Sequence, residues 1–238
     1  MTSETEKNTA SAGIVYIVST PIGNLNDLTI RGLETLKAAD IIAAEDTRQT
    51  RKLLSHFEIT GKKLVSMHIH NEHGKVPALL KQAQEGLSIA VVSDAGTPCI
   101  ADPGFLIVRE AVKLGVRIKV IPGVSSVTFA AAAAALPIDK FVFDGFIPVK
   151  SGRKTRLLEA VCNDDLTHIM FESPHRIEKT LKMLKELGGG GLAIAVVREA
   201  TKIYEEVLRG TVDELLCRCE GKKWKGEIVL VVSPQTKL

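Results

Sequence analysis

Aromatic residues are scarce in this chain of 238 residues, which contains one Trp, two Tyr and seven Phe. A nucleic-acid-binding surface built on many stacked rings is therefore not expected. The formal net charge is +3 and the isoelectric point is near 8.6. This mildly basic balance is compatible with a nucleic-acid partner but does not by itself indicate one.

Cysteine is also sparse, and only Cys217 and Cys219 among the four lie close in sequence. A C-x-C pair without further ligands does not make a zinc site, so we interpret the cysteines as reduced thiols used in packing. His68, His70 and His73 have an H-x-H-x-x-H spacing, but the other ligands of a coordination shell are not evident in the sequence. We therefore expect a polar loop there and no bound metal.

Long apolar runs are absent from the sequence. The longest, around residues 129–136, is too short to cross a bilayer, and residues 1–12 lack the apolar segment of a signal peptide. We predict that residues 1–12 form a disordered tail and that the protein is soluble, cytoplasmic and not associated with membranes. Neither G-x-x-x-x-G-K-[ST] nor G-x-G-x-x-G occurs, so an NTPase or dinucleotide enzyme is not supported.

The sequence does contain a regular alternation of short Val/Ile-rich runs with amphipathic segments. Such alternation predicts an α/β fold with a parallel sheet covered on both faces. The segment LPID (residues 136–139) interrupts it, which predicts an N-terminal α/β domain over 13–138, a C-terminal α/β domain over 139–238 and a ligand cleft between them. The extended segment YEEVLRG (residues 204–210) suggests a hairpin, so the second sheet is expected to be mixed. A capping-box pattern at 211–214 predicts a short final helix.

Four loops rich in Gly, Pro and small polar residues follow predicted strands of the first domain. They are STPIGN (19–24), EDTR (45–48), SDAGTPCIADPG (93–104) and PGVSS (122–126). Gly and Pro also punctuate ordinary turns, so one such loop would mean little. Four of them at the carboxyl edge of one open α/β sheet indicate a ligand site. Without a phosphate loop, the ligand expected is a small molecule gripped by backbone groups and small side chains.

Basic residues form two clusters. Arg48, Arg51 and Lys52 share one face of a predicted helix, while Lys150, Arg153, Lys154 and Arg156 follow the domain boundary. A solvated charged face is the usual explanation for such groups. Clusters beside a predicted cleft are better suited to phosphate contacts.

Eight ordered segments extend these loops along the chain. They are STPIGNLNDLTIRGLETL, AEDTRQTRKLL, HNEHGK, SDAGTPCIADPG, FIPVK, FESPHRI, REATKIYEEVLRGT and KGEIVLVV. In these segments the sequence resembles the ribosomal RNA small subunit methyltransferase I family, a branch of the tetrapyrrole methylase superfamily. The similarity runs from about residue 13 to residue 233. Three positions depart from the family pattern, namely Ser19 for Gly, Val124 for Pro and Ala200 for Leu.

The resemblance implies two α/β domains of the class III S-adenosylmethionine-dependent methyltransferase type, with the cofactor bound in the cleft between them. It also implies 2′-O-methylation of a cytidine ribose in small-subunit (16S) ribosomal RNA by a homodimer. The residues that it assigns to S-adenosyl-L-methionine are Pro21, Asp94, Ala95, Gly96, Ser125, Ser126, Phe171, Val197, Arg198, Gly226 and Glu227.

Removing the proton of a ribose hydroxyl calls for a nearby base, and positioning supplies much of the remaining acceleration. Glu45 or Asp46 is the expected base, and Arg48 is expected to orient phosphate or polarise the hydroxyl. Equally, Asp46 could simply cap its helix. The residues expected to contact RNA are Arg51, Lys52, Lys150, Arg153, Lys154, Arg176 and Lys202.

Two alternatives stay open at this point. One is a methyltransferase acting on a tetrapyrrole or corrinoid small molecule, although such enzymes usually carry a G-x-G-P-G-D type of first loop where STPIGN stands here. The other is a non-catalytic ribosome-assembly protein that binds RNA, which intact cofactor loops disfavour.

The two roles assigned to the first domain predict different effects of two substitutions. We expect Asp94→Ala to weaken S-adenosylmethionine binding, because a carboxylate is lost from the cofactor loop. Arg48→Ala should spare cofactor binding and weaken RNA binding or turnover. Calorimetric titration with the cofactor checks both variants, and equal affinity of wild type and Asp94→Ala would remove Asp94 from the site.

Overall fold

The computed structural model describes residues 13–234, so the tail predicted over residues 1–12 lies outside the described part of the chain. The chain divides into two units, Met1–Val124 and Ser125–Leu238. This division precedes the boundary predicted at residues 138/139, because the Ala-rich helix α5 (Ser126–Ala134) packs on strands of the second sheet.

The first unit is a parallel sheet with helices between its strands, as the alternation of apolar runs predicts. Its strand order is β3-β2-β4-β1-β5. The strands are β1 Ile14–Val18, β2 Ile41–Ala44, β3 Lys63–Ser66, β4 Ile89–Val92 and β5 Arg117–Ile121. The helices are α1 Ile30–Ala38, α2 Thr47–His56, α3 Glu72–Gln84 and α4 Phe105–Lys113.

Each face of this sheet carries its own apolar cluster. Val15 and Ile17 of β1 pack with the cluster formed by α3 and α4, whereas Val18 packs with the cluster formed by α1 and α2. The strands β2 and β4 are buried along their whole length, which explains their uninterrupted apolar sequences. All loops that follow these parallel strands emerge at one edge.

The second unit is a mixed sheet of order β6-β7-β10-β8-β9, as expected for this part of the chain. Strands β6 and β7 are parallel, and the other three pairings are antiparallel. The strands are β6 Phe141–Phe146, β7 Thr167–Glu172, β8 Ala193–Arg198, β9 Glu206–Thr211 and β10 Ile228–Ser233. The remaining helices are α6 Ser151–Asn163, α7 Ile177–Glu186 and α8 Val212–Arg218.

Helices cover both faces of the second sheet. The apolar sides of α6, α7 and α8 form one cluster with Met170, Val196 and Leu230. Helix α5 covers the opposite face and packs its alanines against Ile169 and Val231. The last strand in sequence, β10, lies at the centre of the sheet between β7 and β8.

Local signals in the sequence define most helix ends. Thr211 caps α8 in a capping box with Glu214, as predicted. Gly188 adopts φ = 90° after α7 and so ends that helix. Helix α3 begins at Glu72, because Asn71 closes a turn with His68 immediately before it. No helix in residues 13–234 is long and apolar enough to span a membrane.

A buried histidine in the second unit is bracketed by two carboxylates. The Nδ1 atom of His168 lies 2.8 Å from Oδ2 of Asp144, and its Nε2 atom lies 3.2 Å from Oδ2 of Asp164. Only 4% of the His168 side chain is exposed. The hydrogen bond to Asp144 raises the pKa of His168, despite the opposing effect of burial.

This arrangement predicts a pH-dependent contribution to stability. Because the pKa of His168 is raised in the folded state, the contribution should be complete below the unfolded value of about 6.5 and lost as pH rises through the folded value. We expect His168→Asn to lower the free energy of unfolding by about 1.5–3 kcal/mol at low pH and by less at high pH. Urea unfolding of wild type and variant at pH 5.5 and 8.5 measures this. His56→Asn, at an exposed position, is the control, and a pH-independent loss in His168→Asn would contradict the assignment.

Candidate active site

The loops after β1 and β4 are pinned together at the carboxyl edge of the first sheet. Thr20 and Gly96 form an isolated bridge with two backbone hydrogen bonds of 2.8 and 3.0 Å. The hydroxyls of Ser19 and Thr97 lie 2.9 Å apart. The loop after β5 approaches just as closely, since a Cβ at Gly123 would lie 2.8 Å from Cβ of Ser19. Small residues at these positions therefore permit the loops to meet.

The loops after β2 and β4 exchange hydrogen bonds through acidic residues. The backbone N–H of Asp46 donates to Oδ1 of Asp94 at 3.0 Å, and the N–H of Asp94 donates to Oε2 of Glu45 at 3.3 Å. The fold thus brings the predicted catalytic residue Glu45 next to the predicted cofactor residue Asp94. An Asp94→Asn substitution keeps an acceptor for the Asp46 N–H, so it separates loss of charge from loosening of this loop better than Asp94→Ala.

A third carboxyl group, Asp102, belongs to the same cluster and is missing from the residues that the sequence predicts. Burial, followed by the nearby charge of Glu45, raises the pKa of Asp102 to about 6. Burial also raises the pKa of Glu45 and that of Asp94. Asp102 sits in the glycine- and proline-rich loop after β4, directly after Ala101 with φ = 62°. The sequence signal that could have identified Asp102 is its position as the second acidic residue, after Asp94, in the long loop that follows β4.

Asp46 differs from its neighbours because Arg48 engages it. Nε and Nη2 of Arg48 donate to the carboxylate, the shortest contact being 2.6 Å, and Oδ1 also accepts from the Arg48 backbone N–H. The capping role considered for Asp46 is therefore confirmed at the start of α2. Hydrogen bonds from Arg48 lower the pKa of Asp46 to about 2. A carboxylate of such low basicity is a poor proton acceptor at neutral pH.

Of the seven residues predicted to contact RNA, four are exposed, Arg176 and Lys202 are half-buried, and one is buried. Arg51, Lys52, Lys150 and Arg153 are exposed, and Nζ of Lys52 donates to Oε1 of Gln49 at 3.2 Å. Lys154 is buried, with 6% of its side chain exposed. Burial lowers the pKa of Lys154.

Lys154 belongs to an internal polar network. Its Nζ donates to the hydroxyl of Thr180 at 2.6 Å, and that hydroxyl donates to the fully buried carboxylate of Glu172. Arg176 reaches the other oxygen of Glu172 at 2.6 Å. The prediction of an RNA contact at Lys154 is thus wrong, because its ammonium is enclosed and serves to neutralise Glu172. Nη2 of Arg176, which contacts Glu172, also donates a hydrogen bond to the Ile147 carbonyl.

The cofactor residues predicted in the second unit gather at one edge of its sheet. Phe171 and Val197 lie near the carboxyl ends of β7 and β8, and Glu227 precedes β10, whose first residue pairs with Glu172 and Arg198. Phe171 stands edge-on between two other rings, with both centroid separations 5.1 Å. Ser125 and Ser126 begin α5, where the Ser125 carbonyl accepts from Phe129.

Arg198 holds the β8–β9 hairpin together. Its guanidinium donates to Oε2 of Glu206 at 2.9 Å and to the backbone carbonyls of Tyr204 and Lys225. The predicted role of Arg198 as a cofactor ligand is therefore accompanied by a structural one. Lys202 likewise bridges two carboxylates, those of Glu199 at 2.8 Å and Glu227 at 2.9 Å.

Gly226 provides room for the side chain of Glu199. A Cβ at position 226 would lie 2.3 Å from Cδ of Glu199, and the backbone at Gly226 has φ = 82°. Oε1 of Glu199 accepts from the N–H of Glu227 at 3.1 Å. Glu199 itself has φ = 51°, an uncommon value for a residue with a side chain. Glu199, which the sequence does not single out, therefore packs against Gly226 and accepts a hydrogen bond from Glu227, the two residues predicted to bind the cofactor.

Of the three histidines in the H-x-H-x-x-H pattern, His68 and His70 precede α3 and His73 lies in its first turn. Both ring nitrogens of His68 have hydrogen-bonding partners, the Asn71 side-chain amide at 3.1 Å and the His70 backbone N–H at 3.3 Å. Across residues 13–234, no group of three or more Cys, His, Asp or Glu side chains is arranged to hold a metal ion.

The Glu199–Gly226 contact predicts a specific pattern of stability changes. We expect Gly226→Ala to cost about 2–5 kcal/mol, because it adds steric overlap to backbone strain. Gly221→Ala is the matched control, since Gly221 has φ = 70° but open space around its Cα, and it should cost only about 1–2 kcal/mol.

Urea unfolding of the single variants and of Gly226→Ala combined with Glu199→Ala measures the interaction. The double variant should be more stable than the sum of the single losses predicts, because removing the Glu199 side chain removes the overlap. Simple additivity, or equal losses at 221 and 226, would contradict the contact.

Comparison with known proteins agrees with this geometry. The profile of the family described as Tetrapyrrole (Corrin/Porphyrin) Methylases matches residues 14–216. A protein named ribosomal RNA small subunit methyltransferase I from Halalkalibacterium halodurans is 47% identical over 221 residues, covering 92% of this chain and 75% of that protein. The protein of the same name from Thermotoga maritima is 41% identical, covering 93% of this chain and 98% of its own length.

The fold also matches solved structures. A crystal structure of diphthine synthase superposes with a TM-score of 0.73 at 18% identity, covering 93% of this chain and 90% of that one. The resemblance expected from the sequence is thereby confirmed over nearly the whole chain. The chain belongs to the tetrapyrrole methylase family and, within it, to the group of ribosomal RNA small subunit methyltransferase I.

Proposed function

We propose that this chain transfers a methyl group from S-adenosyl-L-methionine to the ribose 2′-oxygen of a cytidine in small-subunit ribosomal RNA. The observation that carries the proposal is the identity of 40–47% with proteins named ribosomal RNA small subunit methyltransferase I, over at least nine-tenths of this chain. The ribose and cytidine assignments follow the resemblance of the loop motifs to that family.

The residues at the edge of the first sheet fit the proposed cofactor. S-adenosylmethionine supplies an activated methyl group on a positively charged sulfur. Glu45, Asp94 and Asp102 concentrate negative charge there, which suits a cationic ligand better than a phosphate-bearing one. Gly96, with φ = 75°, supplies the left-handed backbone conformation that lets this loop pair with Thr20 beside the carboxyl groups.

Among the residues predicted to be catalytic, Glu45 is the best proton acceptor. Burial raises the pKa of Glu45 towards the range that suits a base at neutral pH. Asp46 is held by Arg48, so this pair serves to cap α2 and to present an arginine side chain that is 82% exposed. We assign Glu45 to accept the proton that the ribose hydroxyl releases, and Arg48 to contact the RNA backbone.

Arg51, Lys52, Lys150 and Arg153 complete the proposed contacts to phosphates, because they are exposed cations on α2 and at the start of α6. The family resemblance further supports a homodimer in the cytoplasm, where ribosomes are assembled. Sedimentation velocity of the purified chain tests the oligomeric state.

Methylation of small ribosomal subunits tests the proposal directly. With labelled S-adenosylmethionine and subunits that lack the mark, we expect label at a ribose 2′-oxygen of a cytidine. Label appearing only on a tetrapyrrole or corrinoid substrate would assign the chain to the small-molecule enzymes of its family. Absence of both activities together with no cofactor binding in calorimetry would favour a non-catalytic RNA-binding protein.

Two isosteric variants separate the roles of the adjacent carboxylates in the same assay. Glu45→Gln should lower kcat by about 100-fold or more, as expected for loss of a general base. Asp46→Asn should have a much smaller effect, because Asn also caps helices well. A greater loss in Asp46→Asn than in Glu45→Gln would reverse the assignment of the base.

A further inference from the structure

The first unit contains a cavity of about 280 Å³ beside the carboxylate edge. The loops after β1 and β4 form one side of it, and the first two turns of α2 form the other. The lining residues that matter here are Pro21, Leu25, Gln49, Lys52, Leu53 and Asp94.

The walls combine apolar surface with a few polar groups at defined places. Pro21, Leu25 and Leu53 provide flat aliphatic surface. Gln49 carries an amide that can both donate and accept, and its Oε1 is 3.2 Å from Nζ of Lys52. Mostly apolar walls with few polar groups are typical of pockets that bind a small organic group in one orientation.

The position of the cavity relates it to the proposed reaction. It shares Pro21 and Asp94 with the loops assigned to the cofactor, and it borders the helix that carries Arg48, Arg51 and Lys52. The group that accepts a methyl must lie next to the group that donates it. The cavity is therefore placed for the acceptor rather than for a distant part of the RNA.

The size of the cavity suits a single nucleotide of an RNA chain. Clefts that enclose drug-sized ligands have volumes of roughly 300–1,000 Å³, so a cavity of about 280 Å³ accommodates one nucleoside and little more. Enzymes that modify a nucleotide commonly take it out of its stack and enclose it in a pocket. An amide reads the hydrogen-bonding edge of such an unstacked base, and an ammonium neutralises the adjoining phosphate.

We propose that this cavity receives the target nucleotide of the RNA. Its pyrimidine base lies against Pro21, Leu25 and Leu53, with the Gln49 amide on the base edge. Lys52 contacts the adjoining phosphate, and the ribose faces the carboxylate side of the cavity at Asp94. This assignment rests on the proposed function, because it names the subsite that such an RNA methyltransferase needs.

Three variants on the cavity wall test the proposal in the full-length protein. Gln49→Ala removes the amide, Lys52→Ala removes the ammonium, and Leu25→Trp fills the entrance. The matched controls are Gln84→Ala and Lys81→Ala on α3, which belongs to the opposite face of the sheet, and Ile30→Trp at the exposed start of α1. The readouts are kcat/KM with small ribosomal subunits that lack the mark, and the Kd for S-adenosylmethionine from calorimetry.

We expect Gln49→Ala and Leu25→Trp to lower kcat/KM by about tenfold or more, since each removes or blocks base contacts. Lys52→Ala should lower it by a smaller factor and reduce the slope of log kcat/KM against log salt concentration by about one, a change that Gln49→Ala should not cause. The Kd for S-adenosylmethionine should stay within about twofold of wild type in all three, and the control variants should behave as wild type.

Two results overturn the assignment while leaving the proposed function in place. Cavity variants with the kcat/KM of their controls would show that the target nucleotide lies elsewhere. Weaker cofactor binding in Gln49→Ala and Leu25→Trp would show that the cavity holds part of S-adenosylmethionine. Failure of the proposed function itself is recognised separately, because wild type and the three control variants would then transfer no methyl group to the subunits.

Discussion

The candidate site depends on keeping several carboxyl groups close together at the edge of one parallel sheet. Like charges at this separation repel, and partial burial adds to the cost of ionising them. The fold offsets this with backbone N–H donors from the neighbouring loop and, at Asp46, with an ion pair to an arginine. The loops are thereby fixed by the same hydrogen bonds that hold the charges. Glu45, Asp94 and Asp102 thus remain available to a cationic ligand, which can relieve their repulsion when it binds.

The second unit handles charge in the opposite way. There the acidic side chains are matched by cations within the protein, as in the Lys154–Thr180–Glu172 network and in the bridge from Lys202 to Glu199 and Glu227. Breaking the buried Lys154–Glu172 pair would leave one unpaired charge inside the protein, whereas the bridge from Lys202 to Glu227 is largely exposed. In this protein they hold strand ends and the β8–β9 hairpin in place. The contrast separates a unit whose clustered carboxyl groups accept backbone hydrogen bonds from a unit whose acidic groups are paired with cations.

The sequence predicted what depends on local patterns. Strands, most helices, the mixed second sheet and the α8 capping box follow from apolar periodicity and turn chemistry. The alanine-rich α5 carries no strongly polar face, so its sequence could not show which sheet it covers. The burial of Lys154 could be inferred in part from the sequence, because Lys154 lies four residues before Leu158 and so on the same, buried face of α6. Asp102 and Glu199 depend on contacts between distant segments, which a single sequence does not display.

The central place of β10 in the second sheet bears on how the protein is made. Every strand of the first sheet lies within residues 14–121, so that unit can bury both faces of its sheet before the strands of the second unit have all emerged from the ribosome. In the second unit, β7 and β8 cannot pair through their inner edges until residues 228–233 have emerged. During that interval two unpaired strand edges stay open to wrong partners. Vectorial synthesis therefore allows the carboxylate-bearing unit to form its sheet first and makes the insertion of β10 the last step in forming the second sheet.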